Sequence, residues 1–134
     1  MQYATEITLD RPYEETVARV KEVFQKHGFG TLTEIDVRAT LHDKLGEDIE
    51  PYVILGLCNP GLAHRAVQIE PRIGTLLPCN VVVRRARDRT VVDALDPAVM
   101  VEIPEREELQ PIADEAADLV RTALDDLLEA TSHA

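Results

Sequence analysis

The chain has 134 residues, of which 45% are hydrophobic, 29% charged and only 4% aromatic, with no Trp and a formal net charge of −11. That length predicts one domain, residues 1–134, around one aliphatic core. So acidic a surface repels phosphate backbones and anionic bilayers, which excludes general nucleic-acid binding and membrane docking.

No apolar run approaches the roughly 20 residues of a membrane-spanning helix, and Met1 to Thr8 lacks a signal-peptide pattern. A cytoplasmic protein with two reduced cysteines is the expectation.

Tyr3, Thr5, Ile7 and Leu9 alternate with Ala4, Glu6 and Thr8, as in a half-buried strand. Asp10-Arg11-Pro12 opens a helix, with Glu14 and Glu15 at the positive end of its dipole. Tyr13, Val17, Val20, Phe24 and His27 share one face of it, and Gly28 stops it. A second strand runs from Gly30 and closes at Asp36; Ala39 to Leu45 is a short helix ended by Gly46. Tyr52 to Leu57 is apolar on both faces, as a central strand is. Asn59 then caps a helix with Pro60 at its first position. Leu62, Ala63, Ala66, Val67 and Ile69 form its inner face, and Pro71 ends it. Val81–Ala86 and Thr90–Leu95 read as strands joined by a tight hairpin, and Val99 to Ile103 as a short extended piece. From Gln110 or Pro111 a long helix continues to about Ala130, with Ile112, Ala116, Leu119, Val120, Ala123, Leu124, Leu127 and Leu128 as its apolar stripe.

The order β-α-β-α-β-α-β-β-α suits an α+β fold of about five strands. Chain length decides the pairing of the strands flanking Pro60. The helix from Pro60 to Glu70 covers about 16 Å. Eight residues, Pro71 to Pro78, follow it. Extended, they span about 26–29 Å, enough to return to the level of Cys58. The two strands are therefore expected to be antiparallel.

Four segments, His27-Gly28-Phe29-Gly30 leading to Glu34-Ile35-Asp36, then Cys58-Asn59-Pro60, Leu76-Leu77-Pro78-Cys79 and Asp96-Pro97, resemble the family catalogued as domain of unknown function 302. The resemblance covers about residues 3–128. It implies a curved, mainly antiparallel sheet gripping a long C-terminal helix, similar in outline to half of the TATA-binding protein, and it implies a homodimer. It carries over no activity and no catalytic residue.

Chemistry is sought first at the cysteines. Cys58 precedes a helix N-terminus, which favours a thiolate, although a buried cysteine ending a core strand is the commoner reading. Cys79 opens a strand after Pro78. Twenty residues separate the two, so neither a redox CxxC nor a zinc knuckle is present. Antiparallel pairing would place both at one end of the sheet beside Asn59 and Pro60, as a shared thiol site. With His64 they form a conceivable soft-metal set, with Asp36 or water as fourth ligand. Asp36 otherwise caps the helix after it. Glu34 and Asp36, about 7 Å apart on one side of a strand, read as solvated acids. Arg84, Arg85, Arg87 and Arg89 are the one basic cluster; a phosphate or acidic-ligand site is the functional reading, and a solvated hairpin tip or a partner for the acidic C-terminal helix across a dimer is the preferred one. His27 suits a helix C-terminus, and His42 and His133 offer nothing specific. No phosphate loop, Ser-His-Asp set or HExxH occurs. Two functions follow: a small-ligand binding or sensing module with a pocket between sheet and helix, or a thiol-based redox or metal protein using Cys58 and Cys79. Whether it is an enzyme, and with what cofactor, the sequence leaves open.

Overall fold

The computed structural model describes residues 2–132; His133 lies outside them. Its strands are β1 (Ala4–Leu9), β2 (Gly30–Asp36), β3 (Tyr52–Cys58), β4 (Cys79–Ala86) and β5 (Arg89–Leu95). Its helices are α1 (Tyr13–Lys26), α2 (Val37–Leu45), α3 (Pro60–Ile69), α4 (Val99–Glu102) and α5 (Gln110–Ser132). The strands form one open sheet, order β1-β5-β4-β3-β2, with every neighbouring pair antiparallel. This is the α+β architecture expected, with a C-terminal helix of 23 residues.

Alternation along the strands puts Val53, Leu55 and Leu57 of β3, Val81 and Val83 of β4, and Val92 and Ala94 of β5 on one face. That face packs on Val20, Val23 and Phe24 of α1 and on Val120, Ala123, Leu124 and Leu127 of α5. A second cluster joins Leu62 and Ala66 of α3 to Ile73, Met100, Leu109, Ile112 and Ala116. Leu119, expected to be buried, is half-buried because it sits between the clusters and packs against both. Leu128 is 41% exposed, at the open edge beside Thr5 and Ile7 of β1.

On the opposite face, Ile35, Ile54, Val82, Asp93 and Glu6 lie opposite one another across five strands, none of them buried. Arg84 joins the two acids, its Nε donating to Asp93 Oδ2 at 2.8 Å and its Nη2 to Glu6 Oε2 at 3.0 Å. Asp93 beside it pushes the Glu6 carboxyl above its ordinary pKa. Arg85 donates to Thr90 Oγ1 and to the Arg11 carbonyl, and Arg87 and Arg89 are exposed at the hairpin. The basic cluster is thus half absorbed into the sheet.

Three local expectations need correction. Pro71–Pro78 is not an extended return: Pro71–Leu76 coils into a 3₁₀ helix, so the chain covers a shorter distance and buries Ile73. Val99–Glu102 is a helical turn rather than an extended piece. Its β-branched residues favour a strand, but β5 has ended, and Asp96 Oδ1 accepts from Ala98 N–H to turn the chain. Val99 and Met100 are then buried. Val67, one turn past Ala63 on the flank of α3, is 42% exposed rather than inward. No helix among the described residues is long and apolar enough to cross a membrane.

Leu124 is 3% exposed between α5 and the sheet. Leu124→Ala is expected to cost about 2–5 kcal/mol, read from the denaturant midpoint at unchanged m-value.

Candidate functional site

The site begins where α1 stops. Gly28 takes φ 89°, and Phe29 N–H donates to the Phe24 carbonyl at 2.9 Å. Phe29 is thereby held edge-on to Phe24, ring centroids 5.8 Å apart. A Cβ on Gly28 would come within 2.8 Å of Asn59 Nδ2, so the first turn of the site has no room for a side chain. Asn59 Oδ1 in turn accepts from Leu62 N–H at 3.1 Å, which caps α3, with Pro60 at its start.

Register supplies the second half. Leu57 pairs with Cys79 and Gly56 with Asn80, so Cys58 and Cys79 lie at one end of the sheet, as expected, but offset by one residue. The offset means that the two cysteines are neighbours but not a directly paired couple in the ladder. Both cysteines are free and half-buried. Burial, helped by the neighbouring Cys58, pushes the Cys79 thiol up to about 12, so it stays protonated at neutral pH and is a poor nucleophile. Gly56 is the residue that sequence reasoning missed. A Cβ there would collide with Thr33 Oγ1 and lie 2.8 Å from Pro78 Cγ. Glycine inside an otherwise bulky strand was the available signal of such close approach.

These segments enclose one apolar pocket of about 40 Å³. Its walls are Phe29; Leu57, Cys58 and Asn59; Leu62, Ala63 and Ala66 of α3; Leu76, Leu77, Pro78 and Cys79; Leu95 and Pro97; and Met100 and Ala116. It occupies the seam between the two hydrophobic clusters.

Buried Glu70 holds the far wall. It accepts from Arg72 N–H at 3.1 Å and from Arg106 Nη1 at 3.1 Å, while Arg106 Nη2 donates to the Ile69 carbonyl. This clasp ties the end of α3 to the 3₁₀ helix and to the segment after α4. The Arg72 hydrogen bonds, with Arg106 nearby, hold the Glu70 carboxyl below its usual pKa.

Other candidates fall elsewhere. Asp36 pairs with Val53 while Cys58 pairs with Gly30, so Asp36 is about 17 Å along the sheet from the cysteines. It caps α2, Oδ1 accepting from Ala39 N–H at 2.9 Å. Glu34 is paired with Lys21. His64 is exposed on α3. The Cys58, Cys79, His64 set with Asp36 is therefore not assembled, and no group of three or more His, Cys, Asp or Glu suited to a metal exists among the described residues. His27 Nε2 lies 2.6 Å from Asp126 Oδ2, tying α1 to α5. His42 bonds to Asp48 on the surface.

Over residues 5–127 the sequence matches the family described as "Domain of unknown function DUF302". The chain belongs to the DUF302 family. It is also similar to the crystal structure of an uncharacterized conserved protein DUF302 from Bacillus stearothermophilus, with 28% identity and a TM-score of 0.86. That likeness covers 93% of this chain and 98% of the other. Among curated proteins, none matches. The DUF302 resemblance seen in the sequence is thereby borne out, and its segments gain a spatial meaning. Phe29, Cys58-Asn59, Leu76 to Cys79 and Pro97, far apart in the chain, all line the pocket, whereas Glu34 and Asp36 do not.

The Glu70 clasp has a pH signature. A carboxyl with a folded-state pKa below its ordinary 4.5 stabilises the fold above that value, and the contribution is lost as pH falls through the lowered pKa. Glu70→Gln is expected to lower the thermal midpoint at pH 7, with the gap from wild type closing below pH 4.5. An equal gap at pH 7 and pH 3 would contradict this.

Proposed function

We propose that this chain, acting as one domain, is a small-ligand-binding or sensing module whose site is the apolar pocket at the Cys58/Cys79 end of the sheet. The observation that carries the reading is the convergence of four separated segments on one pocket, with Asn59 and Gly56 spent on shaping it. Pockets lined by apolar side chains with few polar groups are the usual form of small-molecule sites. The thiol reading fits less well: Cys79 is held protonated, and the register pairs it with Leu57 rather than with Cys58. A reducing, cytoplasmic setting belongs to the proposal, because two neighbouring cysteines stay thiols there.

The same proposal takes the protein as a homodimer. Support comes from the in-register row Ile35, Ile54 and Val82 on the sheet face away from α1 and α5. Beside it, Arg84 neutralises part of the charge of Glu6 and Asp93, so that face repels a second acidic copy less than the rest of the surface does.

Native mass spectrometry of protein purified without denaturant tests both parts. The expected species has twice the 14.9 kDa chain mass and carries a non-covalent adduct. A bare monomer at micromolar concentration would contradict both, and a chain lighter by two hydrogens would favour the disulfide chemistry of the thiol reading.

A further inference from the structure

The pocket's lining restricts what it can hold. Among the described residues no charged side chain lines it. The carboxylate of Asp96, which lies between two lining residues, is turned to Ala98 N–H. Asn59 is the one amide in the wall, and its Oδ1 is engaged by Leu62 N–H while its Nδ2 abuts Gly28. The floor of Phe29, Leu57, Leu62 and Met100 is buried, and the half-buried residues around the mouth are mostly apolar too. A carboxylate or ammonium entering here would lose its water and meet no charged partner, whereas an alkyl group would lose nothing it needs.

Size restricts it further. A cavity of about 150 Å³ holds a benzene ring, and one water needs about 10–15 Å³. At about 40 Å³ the pocket admits no ring. It has room for roughly two to four heavy atoms.

We infer that the pocket receives a short, uncharged alkyl group, either as a free small hydrocarbon or as the buried end of a longer neutral ligand whose remainder lies outside the mouth. This rests on the ligand-binding reading above and adds the ligand's chemical class.

Methyl NMR of the full chain, titrated separately with dissolved propane, 1-hexanol, propionate and propylammonium, tests it. Saturable shifts at the methyls of Leu62, Leu77 and Met100 are expected with propane or 1-hexanol. Propionate and propylammonium are expected to bind at least about tenfold more weakly. A response to 1-hexanol alone supports the end of a longer ligand; one to propane alone supports a free hydrocarbon. Ala63→Leu, which fills the mouth, is expected to abolish the response, and Ala63→Val, a smaller change, to weaken it. Shifts that persist unchanged in a folded variant would overturn the assignment to this pocket. Charged probes binding as tightly as neutral ones at the same methyls would overturn the alkyl class and leave the ligand-binding reading standing. Silence from all four probes would overturn the inference alone if the purified protein carries a non-covalent ligand, and both readings if it does not.

Discussion

Pro78 can reach β3 only because Gly56 has no side chain. Thr33 and Pro78 both occupy space that a Cβ at Gly56 would claim. That approach sets where β4 begins, and so places Cys79 opposite Leu57 and the Leu76–Pro78 wall beside Asn59. A second glycine performs the same service at Gly28, where the end of α1 must lie against the cap of α3. Two absences of a methyl group thus let four segments meet, and the pocket is the space left between them.

The seam has a physical origin. The sheet packs on α1 and the C-terminal half of α5, while α3, the 3₁₀ helix and α4 pack on its N-terminal half. One helix serves two clusters, and Leu119 bridges them. Close packing is satisfied within each cluster but not where they adjoin, which is where a chain can keep a small opening at low cost. Charge is kept away from that opening. The Glu70 clasp and the His27–Asp126 contact are outside its lining, and the Arg84 triad is on the opposite face of the sheet. An acidic protein thereby carries an apolar and uncharged interior site.

Most of the architecture was legible in the sequence because strong local signals agreed with the tertiary result. Alternation marked β1, the Pro60 start and Asn59 cap marked α3, and the apolar stripe marked α5. The antiparallel β3–β4 pairing followed from chain length, although the connecting residues coil instead of extending, so the conclusion held on a different path. Val99 to Ile103 misled because β-branched propensity is overridden where Asp96 turns the chain and the helical turn buries Val99 and Met100. At the site, Cys58, Asn59, Pro60 and Cys79 were identified correctly as neighbours. Asp36 and His64 were not part of that group: the distance along the sheet and the rotation of α3 are tertiary quantities that residue type does not encode. Gly56 was visible as a letter, but its meaning depends on Pro78 and Thr33, which only the folded chain brings to it.

The central claim is that close approach at Gly56 builds the pocket and shields Cys79. The direct measurement is the rate at which native protein reacts with a thiol-specific disulfide reagent at pH 8, for wild type and Gly56→Ala, beside their denaturant unfolding curves. The account predicts that in the wild type Cys79 reacts far more slowly than in the unfolded chain. It also predicts that Gly56→Ala loses about 1–3 kcal/mol and exposes the Cys79 thiol. Unchanged stability with Cys79 equally protected in both proteins would contradict it.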